Sequence, residues 1–124
     1  HLGPSSVQNT AEEVLKNPHP YLVGFGLAGD ELHFPPALFV KTFDMLKEAK
    51  FPITVHAGEW DGPENIRNAI NLLHQTRLGH GVRSIEDPEL VNEIIERDIV
   101  LETCPTSNIA TKIYENYEAH PVKK

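Results

Sequence analysis

The sequence alternates short apolar runs with amphipathic helical patterns, and this alternation restricts the chain to a small set of folds. Four runs have the length and composition of buried strands, at residues 21–27, 52–56, 77–79 and 98–103. Helical patterns lie between them, so that one strand and one helix together take roughly 25–30 residues. Repeated units of this length are typical of parallel strands joined by crossover helices. The sequence therefore predicts an α/β fold built from consecutive parallel βα units.

Each predicted helix begins at a recognisable start signal. Thr10 and Glu13 have the spacing of a capping box, which predicts a helix that begins at Thr10. Pro36 and Pro63 suit the first turn of a helix, where the missing N–H group is not needed. Asp87 directly precedes Pro88, and aspartate is a typical N-cap residue. The apolar positions that recur at helical spacing are Phe39, Phe43, Leu46, Ile66, Ile70, Leu73, Leu90, Val91, Ile94 and Ile95.

Composition narrows the class of protein. The 124 residues include 11 Lys and Arg against 18 Asp and Glu, a formal net charge of −7. This acidic balance argues against nucleic-acid binding and against a basic membrane-surface protein. The single cysteine, Cys104, excludes a disulfide framework and favours a reducing compartment, so we expect a cytoplasmic protein. The composition leaves the oligomeric state open.

Polar residues follow every predicted strand at its C-terminal end. The four clusters occupy residues 28–31, 56–59, 79–81 and 102–105. In a (β/α)8 barrel the C-terminal strand ends meet at one rim, and active sites are built there. The repetition of this feature after four strands predicts a functional site at that rim.

Three side chains of these clusters carry the most chemical information, and each also has a structural interpretation. His56 suits a buried, hydrogen-bonded core position, Glu59 suits the cap of the following helix, and His80 suits a turn. Asp30 and Glu31 suit a solvated turn. Taken together, two imidazoles and a carboxylate on neighbouring strand ends suit a metal-activated water with a general acid and base. Glycines on both sides of His80 would let a substrate approach its ring closely.

Four strings in this order resemble the adenosine deaminase family. They are Leu-Ala-Gly-Asp-Glu at 27–31, Thr-Val-His-Ala-Gly-Glu at 54–59, Arg-Leu-Gly-His-Gly at 77–81 and Glu-Thr-Cys-Pro-Thr-Ser-Asn at 102–108. The resemblance covers the chain from Tyr21 to Asn108. It implies a (β/α)8 TIM-barrel fold, of which residues 1–124 would be a single partial domain that holds about half of the barrel, strands four to seven. It also implies zinc-dependent hydrolytic deamination of adenosine and 2'-deoxyadenosine to inosine and ammonia, in purine salvage.

The resemblance also implies roles for individual residues. His56 would be a ligand of the one zinc ion in each active site, and Glu59 would protonate N1 of the purine. His80 would orient the attacking water and help to deprotonate it. Gly29 would donate its backbone N–H to purine N3, and Asp30 belongs to the same substrate-binding loop. The family also uses a His-x-His pair and an Asp-Asp pair, which this sequence lacks; we therefore expect a fragment, inactive alone, whose other zinc ligands lie elsewhere.

Two alternatives to adenosine deamination remain. The first is a deaminase for adenine or for a modified adenosine. Related adenine deaminases tend to carry Asp-His-Gly after the third strand, so Gly79-His80-Gly81 favours the nucleoside. The second is a non-catalytic paralogue that binds a purine nucleoside. A proton donor beside a metal-ligand histidine argues against that paralogue.

Overall fold

The fold of residues 3–123 is described by a computed structural model, and its centre is one sheet of four parallel strands in the order β1-β2-β3-β4. The strands are β1 (Phe25–Leu27), β2 (Ile53–Ala57), β3 (Arg77–His80) and β4 (Val100–Glu102). The α-helices are α1 (Pro4–Lys16), α2 (Val40–Glu48), α3 (Pro63–Leu73), α4 (Pro88–Glu96) and α5 (Pro105–Ala110). Short 3-10 helices occupy Pro36–Phe39, Val82–Glu86 and Pro121–Lys123. The predicted consecutive parallel βα units are therefore confirmed.

The core lies where the helices α2, α3 and α4 pack on the sheet. Its fully buried apolar side chains include Phe43, Leu46, Val55, Ile66, Leu73, Leu78 and Leu90. The ring of Phe25 on β1 meets the ring of Phe43 edge-on, with centroids 6.2 Å apart. Most predicted apolar helix positions lie in this core, because each helix turns one apolar stripe towards the strands. Ile95 is an exception, since 69% of its surface is exposed.

The start of α4 follows the prediction closely. The carboxylate of Asp87 accepts the backbone N–H groups of Glu89 at 3.0 Å and Leu90 at 3.2 Å. Arg67 of α3 donates to the same carboxylate at 2.7 Å and to Glu93 of α4 at 2.8 Å. One aspartate therefore caps α4 and connects it to α3.

The start of α1 differs from the prediction. The helix begins at Pro4, and Thr10 lies inside it, where its hydroxyl donates to the carbonyl of Ser6 at 2.9 Å. A capping box needs a threonine at the helix boundary, so the interpretation of Thr10 and Glu13 as a start signal is wrong. A hydroxyl-to-carbonyl bond four residues back is the usual alternative for a threonine within a helix.

The first strand is shorter than predicted. Residues 21–24 lie outside β1, and Tyr21 and Val23 expose 88% and 77% of their surface. The pairing of β1 with β2 begins where the N–H of Phe25 donates to the carbonyl of Pro52 at 2.8 Å. Because Pro52 has no N–H group, it cannot continue the ladder towards Tyr21.

None of the helices within residues 3–123 has both the length and the apolar character that a crossing of the bilayer requires.

Candidate active site

The register of the central strands brings two histidines together at the C-terminal edge of the sheet. His56 of β2 is level with Gly79 of β3, and Ala57 is level with His80. The two imidazole rings meet edge-to-face, with centroids 4.8 Å apart and an interplanar angle of 76°. A Cβ atom on Gly79 would overlap the ring of His56. The lack of a side chain at Gly79 therefore makes room for His56.

Glu59 is buried beside His80 and does not cap a helix. Only 7% of the Glu59 surface is exposed, and its Oε2 lies 3.2 Å from Nε2 of His80. The N-cap residue of α3 is Gly62, and its N–H donates to Asp61 Oδ1 at 2.7 Å, not to Glu59. The capping interpretation of Glu59 is therefore wrong, and its carboxylate is available for chemistry at the rim.

Glu31 organises the backbone that carries Glu59. Its Oε2 accepts the N–H of Gly58 at 3.0 Å and of Asp61 at 3.2 Å, and its Oε1 accepts the N–H of Glu59 at 3.3 Å. Burial raises the pKa of Glu31, and the backbone N–H groups act against that shift. With 6% of its surface exposed, Glu31 is not part of a solvated turn.

Gly29 and Asp30 lie at the end of β1, on the same cleft as His56. Gly29 has a φ of 128°, which few other residues adopt. The carboxylate of Asp30 is used within its own turn, where it accepts the N–H groups of Leu32 and His33, both at 3.1 Å, and contacts Nδ1 of His33 at 2.7 Å. The hydrogen bonds from His33 lower the pKa of Asp30. The structure therefore places Asp30 at the cleft with its side chain engaged in shaping the turn.

His80 combines an unusual backbone conformation with a buried side chain. Its φ is 66°, in the left-handed region that is unusual for a residue with a side chain, and 4% of its surface is exposed. Burial lowers the pKa of His80, the nearby His56 adds to this effect, and Glu59 opposes it. A strained backbone at a buried titratable group is typical of functional sites.

Two further buried polar residues at this site have no role in the sequence prediction. Asn108 of α5 is fully buried and His120 is 3% exposed. The Nδ2 atom of Asn108 lies 3.2 Å from Glu59 Oε1 and 3.2 Å from His80 Nδ1, and His120 Nε2 lies 3.0 Å from Asn108 Oδ1. Asn108 is the last residue of the string at 102–108, but no pattern near it indicates burial against Glu59 and His80, which lie 49 and 28 positions earlier in the chain.

A metal ion would need ligands beyond this site. Across residues 3–123, no group of three or more His, Cys, Asp or Glu side chains is arranged to hold one. His56 supplies an imidazole of the type that zinc prefers, and a zinc site uses at least three protein ligands. Among the described residues, His56 could therefore supply one ligand of a metal site, and its other ligands would have to come from elsewhere.

Solved structures of the same fold define the class of protein. The chain superposes on an adenine deaminase from Arthrobacter aurescens with a TM-score of 0.91 and 28% identity, covering 98% of this chain and 37% of that one. An N6-methyl-AMP deaminase from Arabidopsis thaliana gives a TM-score of 0.83 at 26% identity, covering 95% and 34%. An amidohydrolase from Burkholderia ambifaria, solved with bound Zn, gives 0.80 at 31% identity, covering 86% and 29%. The four βα units are thus part of a TIM-barrel fold of the deaminase class.

The sequence comparisons identify the family within that class. The family model described as adenosine deaminase matches residues 1–124, and the chain belongs to this family. It is 41% identical over 124 residues to an adenine deaminase of Sinorhizobium medicae and 42% identical over 123 residues to one of Agrobacterium fabrum. These alignments cover 100% and 99% of this chain, which spans only 38% of the length of each relative.

Proposed function

We propose that the protein containing this chain is a hydrolytic deaminase of a 6-aminopurine, and that adenine is its preferred substrate. The observation that carries the proposal is the buried contact between Glu59 and His80 beside the ring of His56, at the C-terminal strand ends. A carboxylate and two imidazoles in a water-poor site suit proton transfer during hydrolysis. The reaction joins water to C6 of the purine and releases ammonia, which leaves a carbonyl oxygen at C6.

Each residue of the site has a place in this reaction. Glu59 delivers a proton to N1, which makes C6 more electrophilic. His80 orients the attacking water and takes part in its deprotonation. Gly29 donates its N–H to N3 of the purine, from a backbone with a φ of 128° that favours glycine.

His56 would be one ligand of a zinc ion, which when bound makes a water molecule more acidic; the other ligands would come from parts of the protein outside this chain. The Burkholderia ambifaria amidohydrolase, solved with bound Zn, supports zinc as the metal. The imidazole of His56 lies beside that of His80, so a metal ligand and the water-orienting residue would share one side of the site.

The choice of adenine over adenosine as the substrate depends on what the similar proteins are named. The Gly79-His80-Gly81 string favours a nucleoside, as stated above, whereas relatives at 41% and 42% identity are named adenine deaminases. The relatives match over nearly the whole chain, so we give them more weight than one tripeptide. The alternative of adenine or modified-adenosine deamination thus has more support than the adenosine assignment.

Substrate assays on the full-length protein test this choice. We expect faster hydrolysis of adenine than of adenosine, 2'-deoxyadenosine or N6-methyl-AMP, followed by the ultraviolet change on loss of the 6-amino group. A higher kcat/KM for adenosine would contradict the adenine proposal and restore the nucleoside assignment. Tight binding of a purine nucleoside without turnover of any of the four compounds would instead identify a non-catalytic paralogue.

Three variants of the full-length protein test the roles of the site residues. Glu59→Gln should lower turnover by roughly 10²–10⁴-fold and leave the metal content unchanged, because it removes only the transferable proton. His56→Ala should lose metal and activity together, because one ligand is gone. His80→Ala should lose activity and keep most of the metal. The exposed Glu48→Gln variant is the matched control for loss of one carboxylate.

A Glu59→Gln enzyme that works at the parental rate would overturn the general-acid role.

A further inference from the structure

Asn108 makes hydrogen bonds with both ends of its amide although it is fully buried. Nδ2 donates to Glu59 Oε1 at 3.2 Å and faces His80 Nδ1 at 3.2 Å. Oδ1 faces His120 Nε2 at 3.0 Å. A buried amide with all its partners in place is held in one orientation, because turning it over would pair acceptors with acceptors.

The orientation of this amide is determined from two independent sides. The carboxylate of Glu59 has two acceptor oxygens, so the Asn108 atom that faces it must be the donor, Nδ2. On the other side, His120 Nδ1 accepts the N–H of Val122 at 3.2 Å. The hydrogen of a neutral His120 ring is therefore on Nε2, which donates to Oδ1 of Asn108.

This orientation determines which nitrogen of His80 carries hydrogen. Nδ1 of His80 faces the donor Nδ2 of Asn108, so Nδ1 must be an acceptor. A neutral His80 then carries its hydrogen on Nε2. That nitrogen lies 3.2 Å from Glu59 Oε2, where it can donate.

The same arrangement makes the two oxygens of Glu59 inequivalent. Oε1 accepts from two donors, Asn108 Nδ2 at 3.2 Å and Ser107 Oγ at 3.4 Å. The Thr111 hydroxyl, 3.5 Å from Oε1, donates its one hydrogen to the Ser107 carbonyl at 2.8 Å. Oε2 faces only the ring of His80 among the described residues. Both lone pairs of Oε1 are therefore used, whereas Oε2 accepts one hydrogen bond, from Nε2 of His80, and keeps a second lone pair that can carry a proton.

We propose that Asn108, oriented by His120, is a positioning residue that makes Oε2 of Glu59 the proton-carrying oxygen and Nε2 of His80 the nitrogen that bears hydrogen. This inference rests on the proposed function, in which Glu59 and His80 transfer protons and orient water. Asn108 acts through those two side chains. Its loss should therefore lower kcat and leave KM nearly unchanged, since the Gly29 loop is untouched.

The first test is kinetic and uses the full-length, metal-loaded protein. Asn108→Asp is isosteric and places a carboxylate oxygen against Glu59 Oε1, so we expect a fall in kcat of about 100-fold or more with KM within about threefold. The exposed Asn71→Asp variant makes the same chemical change away from the site and should keep the parental kcat.

A second pair of variants keeps Asn108 in place, in case Asn108→Asp does not fold. His120→Phe removes the donor to Oδ1 and frees the amide to turn over, and we expect a fall in kcat of about tenfold or more. His120→Gln keeps an N–H donor and should recover most of the rate. If His120→Phe and His120→Gln have equal kcat values, the orienting role of His120 is refuted.

A spectroscopic test does not depend on activity. The 15N spectrum of histidine side chains distinguishes the two neutral tautomers, and a His80→Asn variant assigns the His80 signal. We expect hydrogen on Nε2 of His80 in the parent and a mixture of tautomers in His120→Phe. Hydrogen on Nδ1 in the parent, or an unchanged tautomer and kcat in both Asn108→Asp and His120→Phe, would overturn the proposal. A parent with no activity on any 6-aminopurine would refute the proposed function alone, because the tautomer is still measured.

Discussion

The carboxylate of Glu31, which follows β1, accepts the backbone N–H of Gly58, which follows β2, at 3.0 Å. The same carboxylate accepts the N–H groups of Glu59 and Asp61. Gly58 has a φ of 76°, and a Cβ atom there would overlap the side chain of Ile66. The turn that carries Glu59 is therefore held by two kinds of contact, hydrogen bonds to the Glu31 carboxylate and tight packing of Gly58 on Ile66 of α3.

Removing the negative charge of Glu31 should loosen this turn. In Glu31→Gln one acceptor oxygen becomes an N–H donor, which leaves buried backbone N–H groups without a partner. We expect a loss of about 1–3 kcal/mol in the free energy of unfolding. We also expect turnover to fall by roughly 10–100-fold, because Glu59 is displaced. Urea unfolding and steady-state kinetics on the full-length protein measure the two effects.

The exposed Glu48→Gln variant removes the same charge at the end of α2 and is the control for Glu31→Gln. It should match the parent in both measurements. If Glu31→Gln also matches the parent, the three hydrogen bonds do not organise the site.

The substitution Gly79→Ala should displace the ring of His56. The Cβ of Gly79→Ala would occupy the space of the His56 ring, so the ring must leave its position. We expect the full-length variant to lose bound metal and activity together. Gly26→Ala on β1 is the matched control, because its Cβ would lie 3.6 Å from the nearest side-chain atom, Thr54 Cγ2, an ordinary contact. Parental metal content in Gly79→Ala would show that His56 does not depend on this space.

The contact between Asp87 and Arg67 should make stability depend on pH in the acid range. The hydrogen bond from Arg67 lowers the pKa of Asp87, and the N–H groups at the start of α4 add to the shift. Because the pKa is lower in the folded state than in the unfolded state, the ionised Asp87 stabilises the fold above its unfolded pKa of about 3.9. That contribution is lost as the pH falls through the lower, folded pKa.

Urea unfolding at a series of pH values measures this effect. The parent should lose stability between about pH 5 and pH 3 more steeply than Asp87→Asn. The double variant Asp87→Asn with Arg67→Gln shows whether the slope comes from this pair. Equal slopes in the parent and in Asp87→Asn would contradict the prediction.

The 124-residue chain alone should associate and show no deaminase activity. Among the described residues, β1 pairs only with β2 and β4 pairs only with β3, which leaves an open edge on each side of the sheet. Open strand edges favour pairing with another chain. Sedimentation should show species larger than a monomer. A stable monomer that unfolds cooperatively, or measurable turnover of adenine or adenosine, would contradict this prediction.

Local patterns in the sequence were enough to predict the parallel βα units and the rim at which His56, Glu59 and His80 meet. Strand and helix periodicity acts over a few residues, and the C-terminal ends of parallel strands always meet on one side. The predicted β1 was too long, because Pro52 ends the pairing of β1 with β2. The predicted start of α1 was too late, because the helix begins at Pro4, before the capping-box signal.

The contacts of Glu31 and Asn108 were decided only by the tertiary structure. Glu31 binds a turn 27 residues further along the chain, and Asn108 contacts Glu59 across 49 residues. Whether a polar side chain is buried and which partner it meets depend on how whole elements pack, and no local spacing encodes this. The sequence by itself determined which chemical groups reach the rim, because strand ends are locally specified. Packing between distant elements decided how those groups are oriented, because their hydrogen-bond partners come from distant parts of the chain.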